Sequence, residues 1–314
     1  MPSQTVPSVS PTKAPRLLDR VRTAIRLRHF SRKTEEAYVG WARRFILFHG
    51  KRHPSEMGEA EVTGFLTDLA QVRHVSASTQ NQALCALLFL YRHVLGRQLG
   101  ALDGLVWGKR STHVPVVLTP AEVVSVLDRL SGTSWLIVAL LYGAGLRLTE
   151  CLELRVKDLD IGGHQIVVRS GKGQKDRRTT LPESIVEPLE RHLRVVQRLH
   201  TRDRRRGFGR VSLPDALAVK YPQAPTEWRW QFVFPAGRIC RDPRWGAPSR
   251  YHLHESAVQR AVTEAARQAG LDKRVSTRRR INSDCEGMRH WRILAHAVRR
   301  DTRIHDGYRS ASRR

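Results

Sequence analysis

The stretch LLYGAGLRLTECLELRVKDLD, residues 140–160, places an arginine and a glutamate three positions apart among apolar residues. Residues three apart lie on the same face of a helix. A guanidinium in apolar surroundings is costly unless it is paired or faces a ligand. Two interpretations are therefore open: Arg147 forms an ion pair with Glu150 at a helix end, or Glu150 orients Arg147 toward a phosphate, which the planar guanidinium suits.

The charge of the chain points to a polyanionic partner. Its 314 residues contain 55 Lys and Arg against 29 Asp and Glu, which gives a formal charge of +26. This excess favours nucleic acid first and an anionic membrane surface second. The sequence contains no run of eighteen apolar residues and no signal-peptide core, so we expect a cytoplasmic, nucleoid-associated protein that spans no membrane.

The cysteines do not suggest a disulfide framework or a zinc site. Cys85, Cys151, Cys240 and Cys285 are scattered without CxxC spacing, which predicts reduced and mostly buried thiols. His252 and His254 lie near Cys240 in sequence but lack the spacing of a ligand set, so we expect no metal site.

The length and the hydrophobic periodicity predict two domains. Residues 1–15, rich in Pro, Ser and Thr, predict a disordered tail. Four amphipathic patterns in residues 16–97 predict a compact four-helix domain, whose fourth helix ends at Gly96. Residues 98–118 have no period and predict a linker.

The second domain, residues 119–276, is predicted to be mainly helical with a small β-hairpin. Thr119, Pro120 and Glu122 have the pattern of a helix start. Two β-prone runs, residues 166–169 and 179–181, flank a glycine-bearing turn and predict the hairpin. A charged helix from Glu183 to about residue 206 follows, then an irregular Trp- and Pro-rich span, residues 207–253, and a helix ended by Gly270.

Two segments carry a family resemblance. GAGLRLTECLELRVKDLD (143–160) and SGKGQKDRRTTLP (170–182) together resemble tyrosine recombinases of the phage-integrase type, in that family's order and separation. RHFSRKTEEAYVGWARRFILFH (28–49) and HVSASTQNQALCALLFLYRHVLG (74–96) are similar to the core-binding domain of integron integrases. SLPDALAVKYPQAPTEWRWQFVFPA (212–236) is similar to the extra segment of those integrases, which gives an integron-type insert at about residues 207–240.

The resemblance implies a fold, a reaction and a set of catalytic residues. The fold would be an N-terminal SAM-like DNA-binding domain and a larger mixed α+β catalytic domain. A tyrosine would attack a DNA phosphate, form a 3′-phosphotyrosyl link and be displaced by a 5′-hydroxyl, without metal or other cofactor. By the motif match Arg147 is a catalytic arginine, Glu150 its orienting acid and Lys172 the proton donor to the leaving group.

DNA-contacting residues are predicted on both domains. Basic helix faces and the family motifs point to phosphate contacts by seven cations: Lys33, Arg43, Arg44, Arg155, Lys157, Arg177 and Arg178. The insert aromatics Trp228, Trp230 and Phe232 resemble those that hold an unstacked base in integron integrases. The alternatives are solvated surface charges for the cations and ordinary packing for the aromatics.

The likeness stops after residue 276. The family continues with an H-x-L-R-H box and, a little over thirty residues after its arginine, a nucleophilic tyrosine. Here Arg278 and Ile281 occupy the expected histidine and arginine positions, and Tyr308 lies only 19 residues after Arg289, the arginine of the superficially similar phrase GMRHWRILAH. Residues 277–314 therefore predict a divergent basic tail, from truncation or a frameshift, with Tyr308 as its candidate nucleophile.

Three functional hypotheses follow. The first is an integron-type site-specific recombinase acting on double-stranded or folded single-stranded DNA sites, with assembly as a homotetramer on DNA implied by the resemblance. The second is a catalytically defective DNA-binding remnant of such an enzyme, so that enzymatic activity stays an open question at this point. The third is a generic basic RNA-binding protein, which accounts for the charge but not for Arg147 and Lys172.

Overall fold

The computed structural model describes residues 16–100, 102, 118–169, 176–213, 217–241, 248–273 and 275. The chain divides into two compact units, residues 1–113 and 114–314. The predicted tails, residues 1–15 and 277–314, lie outside the described residues, as does most of the predicted linker. The predicted fold class, mainly α with a small sheet, is confirmed.

The described part of the first unit contains four α-helices. Their bounds are α1 Leu17–Arg26, α2 Arg32–Phe48, α3 Glu59–Gln71 and α4 Ala77–Leu90. Ser31 and Ser76 accept hydrogen bonds from the backbone N–H of Thr34 and Thr79 and so cap α2 and α4. The apolar faces of all four helices form one core, whose largest fully buried side chains include Phe45 and Phe65.

A single π-turn, Tyr91–Leu95, continues α4 before Gly96 ends it with a φ of +71°. Glycine adopts this left-handed conformation without the steric cost of a Cβ. The predicted end of the fourth helix is therefore confirmed at Gly96, with one π-turn that the periodicity did not predict.

The second unit combines six α-helices and five short strands within the described residues. The helices are α5 Pro120–Leu127, α6 Gly132–Gly143, α7 Leu148–Leu152, α8 Glu183–Arg205, α9 Leu217–Lys220 and α10 Glu255–Gln268. The strands are β1 Leu159–Asp160, β2 Gln165–Val168, β3 Arg177–Thr180, β4 Cys240–Arg241 and β5 Pro248–Ser249. The predicted start of α5 is confirmed, since Thr119 and Glu122 cap each other's backbone N–H groups.

The predicted hairpin is present and belongs to a three-stranded antiparallel sheet in the order β1-β2-β3. Val167 pairs with Arg178 and Val168 pairs with Arg177. Ile166 and Val168 on β2 are buried in the main core of the unit, together with α5, α6, α7, α8 and α10. The strand β1 was not predicted, because two residues are too short to show an alternating pattern.

The cysteine prediction was partly wrong. Cys151 is buried on α7, but Cys85 and Cys240 are exposed, and all three are free thiols. Cys85 lies on the outer face of α4 and Cys240 on a two-residue strand at the surface, where neither packs into a core.

Candidate functional site

The turn between α6 and α7 determines where Arg147 lies. Seven consecutive residues of α6, Trp135 to Leu141, are buried. Gly145 then turns the chain with a φ of +62°, and Leu146 and Leu148 are 6% and 5% exposed. Arg147, between these two anchors, has a side chain that is 43% exposed. The apolar neighbours thus fix the backbone while the guanidinium faces outward.

Glu150 binds Arg147 at two points. Its Oε2 accepts a hydrogen bond from the backbone N–H of Arg147 at 2.8 Å, which satisfies an otherwise unpaired N–H at the start of α7. Its Oε1 accepts Nη1 of Arg147 at 2.5 Å. The carboxylate side chain itself is only 8% exposed. Backbone and guanidinium of Arg147 are therefore held by one buried acid.

A second arginine reaches the same carboxylate from the sheet. Arg177, the first residue of β3, donates Nη1 to Oε1 of Glu150 at 3.0 Å and Nη2 to Oε2 at 2.9 Å. Thr179 on the same strand donates its hydroxyl to the carbonyl oxygen of Ala144 at 2.8 Å. The hairpin is thus joined to the α6–α7 turn on both sides of Gly145.

The two guanidinium groups keep Glu150 ionised. Burial by itself raises the pKa of this carboxyl. Hydrogen bonds from Arg177 and from the backbone and side chain of Arg147 lower the pKa by a larger amount, so that it falls from 4.5 to about 2. At neutral pH the cluster of Arg147, Glu150 and Arg177 carries two positive charges and one negative charge.

The cluster has donors to spare for an anion. The side chain of Arg177 is 36% exposed. Within the described residues the side chain of Arg147 forms its hydrogen bond through Nη1 alone, which leaves Nε and Nη2 for another acceptor. A half-exposed guanidinium with one N–H group held by a carboxylate and other N–H groups facing solvent can bind a phosphate through two parallel N–H groups.

Lys172 and Tyr308 lie outside the described residues, so their predicted roles stay predictions. Val168 and Arg177 pair at the last and first positions of β2 and β3, and Arg177 contacts Glu150. Arg178, on the opposite face of β3, is exposed, and among the described residues its side chain donates a hydrogen bond only to Gln165, at 3.5 Å.

Arg155 and Lys157 occupy internal positions. Arg155 is buried, donates to the carbonyl oxygens of Trp230 and Ser212 at 2.7 and 2.8 Å, and lies 4.5 Å from the centre of the Phe232 ring. Lys157, with a 12% exposed side chain, pairs with Asp158 at 3.1 Å and lies 4.4 Å from the centre of the Trp230 ring. Burial lowers the pKa of both cations. These contacts favour a structural role, in which the two cations attach the insert to the unit.

The insert aromatics differ in their exposure. Phe232 is buried with Val211, Leu213 and Ala224 in a small separate core. Trp230 packs against that core and over the two cations, and Trp228 lies half-buried with its ring 6.0 Å from that of His200. Phe232 therefore serves in packing, and the two tryptophans are only half-buried.

The predicted DNA-contacting cations of the first unit are all exposed residues of α2. Lys33 lies in its first turn, and Arg43 and Arg44 lie in its second half, where the Arg44 guanidinium covers the Trp41 ring at 4.6 Å. Their neighbours Arg26 and Arg32 are neutralised by Glu35 and Glu36 at 2.7 Å. The three predicted residues thus share one helix.

One group of exposed cations was not singled out from the sequence. The outer face of α8 presents Arg194, Arg198, Arg202 and Arg205, all exposed. Their spacing of four, four and three residues repeats the helical period, and this is the signal that could have identified them.

Neither a metal cluster nor a membrane span is found in the part of the chain that the structure describes. Those residues contain no group of three or more His, Cys, Asp or Glu side chains placed to hold a metal ion. No helix among them is long and apolar enough to cross a bilayer.

Comparison with known proteins gives a consistent result for both units. The sequence profile described as "Phage integrase, N-terminal SAM-like domain" matches residues 17–101, and that of the "Phage integrase family" matches residues 117–280. Proteins named "Integrase/recombinase" from Escherichia coli and Pseudomonas aeruginosa are each 45% identical over 273 residues, which is 87% of this chain and 81% of theirs.

Solved structures share the fold at low sequence identity. The site-specific recombinase XerH in a pre-cleavage complex with difH substrate matches with a TM-score of 0.53 and 14% identity, covering 95% of this chain and 81% of that one. The Tn1549 transposon integrase in complex with transposon right end DNA matches with a TM-score of 0.52 and 15% identity, covering 88% and 84%.

Proposed function

This chain belongs to the phage integrase family of tyrosine recombinases, and from that premise we propose that it is a site-specific DNA recombinase of integron type. The observation that carries the proposal is the cluster at Glu150. One buried carboxylate orients two half-exposed guanidinium groups, and the cluster has a net positive charge and unused donors.

The proposed role of Arg147 is to bind the scissile phosphate of DNA. When a tyrosine attacks that phosphate, negative charge builds up on its non-bridging oxygens. Oriented cations stabilise this charge without having to reorganise, and one such donor contributes roughly 3–4 kcal/mol. Glu150 acts as a positioning residue, because it touches Arg147 and Arg177 rather than the DNA.

Lys172 is proposed to protonate the leaving 5′-oxygen. Support comes from the hairpin, since Arg177, which pairs with Val168 and begins the strand after the segment that contains Lys172, contacts Glu150. Arg177 is proposed as the second phosphate-binding group beside Arg147, and Arg178 as an outer phosphate contact. Lys33, Arg43 and Arg44 are proposed to bind DNA phosphates through α2.

The integron-type assignment is proposed from the insert. Trp228 and Trp230 are half-buried, and an accessible tryptophan ring can stack on a base that has left the double helix. Binding of a folded single-stranded recombination site with an unpaired base should then weaken by roughly 1–3 kcal/mol in Trp230→Ala. Binding of a fully paired duplex of the same length should change by less. Equal losses on both DNAs would contradict the assignment.

The experiment that tests the recombinase proposal is trapping of a covalent intermediate. A nicked suicide DNA that contains a recombination site is incubated with the protein, and the adduct is separated by denaturing electrophoresis and mapped by mass spectrometry. Attachment to a tyrosine through a 3′-phosphate is the expected result, with Tyr308 as the candidate. Sequence-specific binding without any adduct would contradict cleavage.

A second candidate function, DNA binding without cleavage, is favoured by one specific observation. Arg278 and Ile281 occupy the positions where the family pattern has a histidine and an arginine, and neither side chain can take over the missing role. In this case a mobility-shift assay on recombination-site DNA gives a complex while the suicide DNA gives no adduct. The third hypothesis, a generic RNA-binding protein, does not account for the family match.

Assembly and location are proposed from the family alone. We expect four copies to assemble on paired DNA sites in the cytoplasm, at the nucleoid. Light scattering of the protein with and without a two-site DNA measures the first expectation, and a mass that stays at one copy per site would contradict it.

A further inference from the structure

The outer face of α8 carries a row of arginines that the proposed active site does not use. This arginine ridge consists of Arg194, Arg198, Arg202 and Arg205, all exposed. The opposite face of α8 is buried, through Ile185, Leu189, Val196 and Leu199, and the first two of these belong to the main core of the unit. The ridge therefore lies on the solvent-facing side of α8.

No ridge residue forms an ion pair in the part of the chain that the structure describes. The ion pairs of α8 there are Arg191 with Glu187 at 3.8 Å and Asp203 with Arg250, and neither includes a ridge residue. Arg194, Arg198 and Arg202 follow one another at intervals of four residues, so like charges meet on consecutive turns and destabilise the helix. A partner from outside the chain would remove this repulsion.

The helix dipole accounts for only part of the row. Cations in the last turn of a helix are stabilised by the partial negative charge of its C-terminus. Arg202 and Arg205 lie in the last turn of α8. Arg194 and Arg198 lie further from its end, where the effect has faded, so another explanation is needed for them.

We propose that the arginine ridge on α8 is a second DNA-binding surface, which follows the phosphates of a duplex without reading its bases. From Arg194 to Arg205 the helix advances about 16 Å, which equals roughly five base pairs along a DNA strand. All cations between residues 183 and 210 are arginines, the residue that binds phosphate through two parallel N–H groups. The choice of DNA as the polyanion rests on the proposed function.

A lipid surface fits the ridge less well than DNA does. A helix that binds at a membrane surface inserts its apolar face among the acyl chains. The apolar face of α8 is already buried within the unit. An acidic peptide remains as the other class of partner, and the experiment distinguishes it.

The test compares two variants of the full chain with the same change in net charge. The ridge variant carries Arg194→Gln, Arg198→Gln, Arg202→Gln and Arg205→Gln. The control carries Arg22→Gln, Arg52→Gln, Arg73→Gln and Arg267→Gln, four exposed arginines that are each paired with an acid. Fluorescence anisotropy measures binding to a duplex of random sequence between about 50 and 200 mM salt.

The expected result is that the duplex affinity of the ridge variant depends much less on salt than that of the wild type, while the control changes little. Each lost phosphate contact reduces the slope of log K against log salt by about 0.9, so the ridge variant should lose about 3 to 4 and the control less than about 1. Affinity of the ridge variant at physiological salt should fall more than tenfold. Equal slopes in the two variants would overturn the proposal, as would unchanged duplex affinity with weaker binding of a poly-glutamate peptide.

Two further measurements keep the result interpretable. Glutamine is a good helix former, so thermal unfolding should show a melting temperature at or above that of the wild type. If the fourfold variant does not fold, Arg194→Gln/Arg198→Gln alone should reduce the slope by about 2. Because binding to random DNA needs no cleavage, a wild type that forms no covalent adduct leaves this test intact. A ridge variant that binds DNA like the control would overturn the proposal for the arginine ridge and leave the recombinase proposal unaffected.

Discussion

Two buried carboxylates of the second unit, Asp203 and Glu150, are held by arginines, yet one forms a closed ion pair and the other leaves guanidinium donors exposed. Asp203 and Arg250 form a closed pair, with Nε to Oδ2 at 2.5 Å and Nη2 to Oδ1 at 3.1 Å. The two side chains are 3% and 11% exposed, and the remaining Nη1 of Arg250 donates to the carbonyl oxygen of Ala236. Glu150 instead shares its charge between Arg147 and Arg177, which are 43% and 36% exposed.

The difference separates a structural pair from a binding site. In the Asp203–Arg250 pair the charges cancel and all three guanidinium nitrogens have acceptors. The pair therefore joins α8 to the segment before α10 and leaves no guanidinium nitrogen free for a ligand. In the Glu150 cluster one cation is in excess and some donors face solvent. An acid that holds more positive charge than it neutralises is thus a better indicator of an anion site than an arginine alone.

The largest expected effect is on stability, from opening the closed pair. Arg250→Met leaves the Asp203 carboxylate buried without a partner, which should lower the free energy of unfolding by about 3–5 kcal/mol. Urea denaturation of the full chain measures the change. The double variant Asp203→Leu/Arg250→Met removes both charges and should recover most of the loss. A single variant as stable as the wild type would mean that Asp203 is not buried as described.

The next effect is on chemistry, from the open cluster. Arg147→Ala should slow formation of the covalent DNA adduct by about 10²–10³-fold, because one oriented cation no longer contacts the phosphate. The free energy of unfolding should change by less than about 1 kcal/mol, since the side chain is half-exposed. Arg129→Ala, at an exposed arginine on the same unit, is the control and should leave the adduct rate unchanged. Equal rates in the two variants would contradict the role of Arg147.

A smaller effect is expected when the acid of the open cluster is neutralised. Glu150→Gln keeps the shape of the side chain but weakens its hydrogen bonds to both arginines, so the free energy of unfolding should fall by roughly 1–3 kcal/mol. The rate of adduct formation should fall as well, and Glu150→Asp should restore part of it. A variant that lost stability alone would reduce Glu150 to a structural residue.

The smallest effect is a dependence on pH. The pKa of Glu150 is lowered to about 2 in the folded chain, so its contribution to stability is fully present above the unfolded pKa near 4.5 and is lost as pH falls toward about 2. The difference in unfolding free energy between the wild type and Glu150→Gln should therefore be constant from about pH 7 to 5 and shrink below about pH 4.5. A difference that changed near pH 6 would implicate a histidine instead.

Local patterns in the sequence predicted much of this fold. The capping box at Thr119, the glycine stops at Gly96 and Gly270, and the end of α8 within a residue all depend on neighbours that are close in sequence. The pairing of Arg147 with Glu150 belongs to the same class, because it spans three residues on one helix.

Contacts between distant segments could not be read in this way. Arg177 reaches Glu150 across 27 positions and Arg155 reaches the Trp230 carbonyl across 75. Nothing in the sequence predicts that Arg155 is buried and Arg178 is exposed, since both lie within charged motifs of the second unit. Burial is decided by the packing of the insert, and periodicity does not report on it.

The unbroken apolar run in α6 has a further implication for how such chains can vary in length. Adding or removing one residue within residues 135–141 would turn everything downstream by about 100°. Leu146 and Leu148 would then leave the core, and the charged group between them would move inward. Insertions should accordingly be tolerated in the irregular region after α8 but should destabilise the fold when they fall within α6. We therefore expect related chains to have an α6 of the same length.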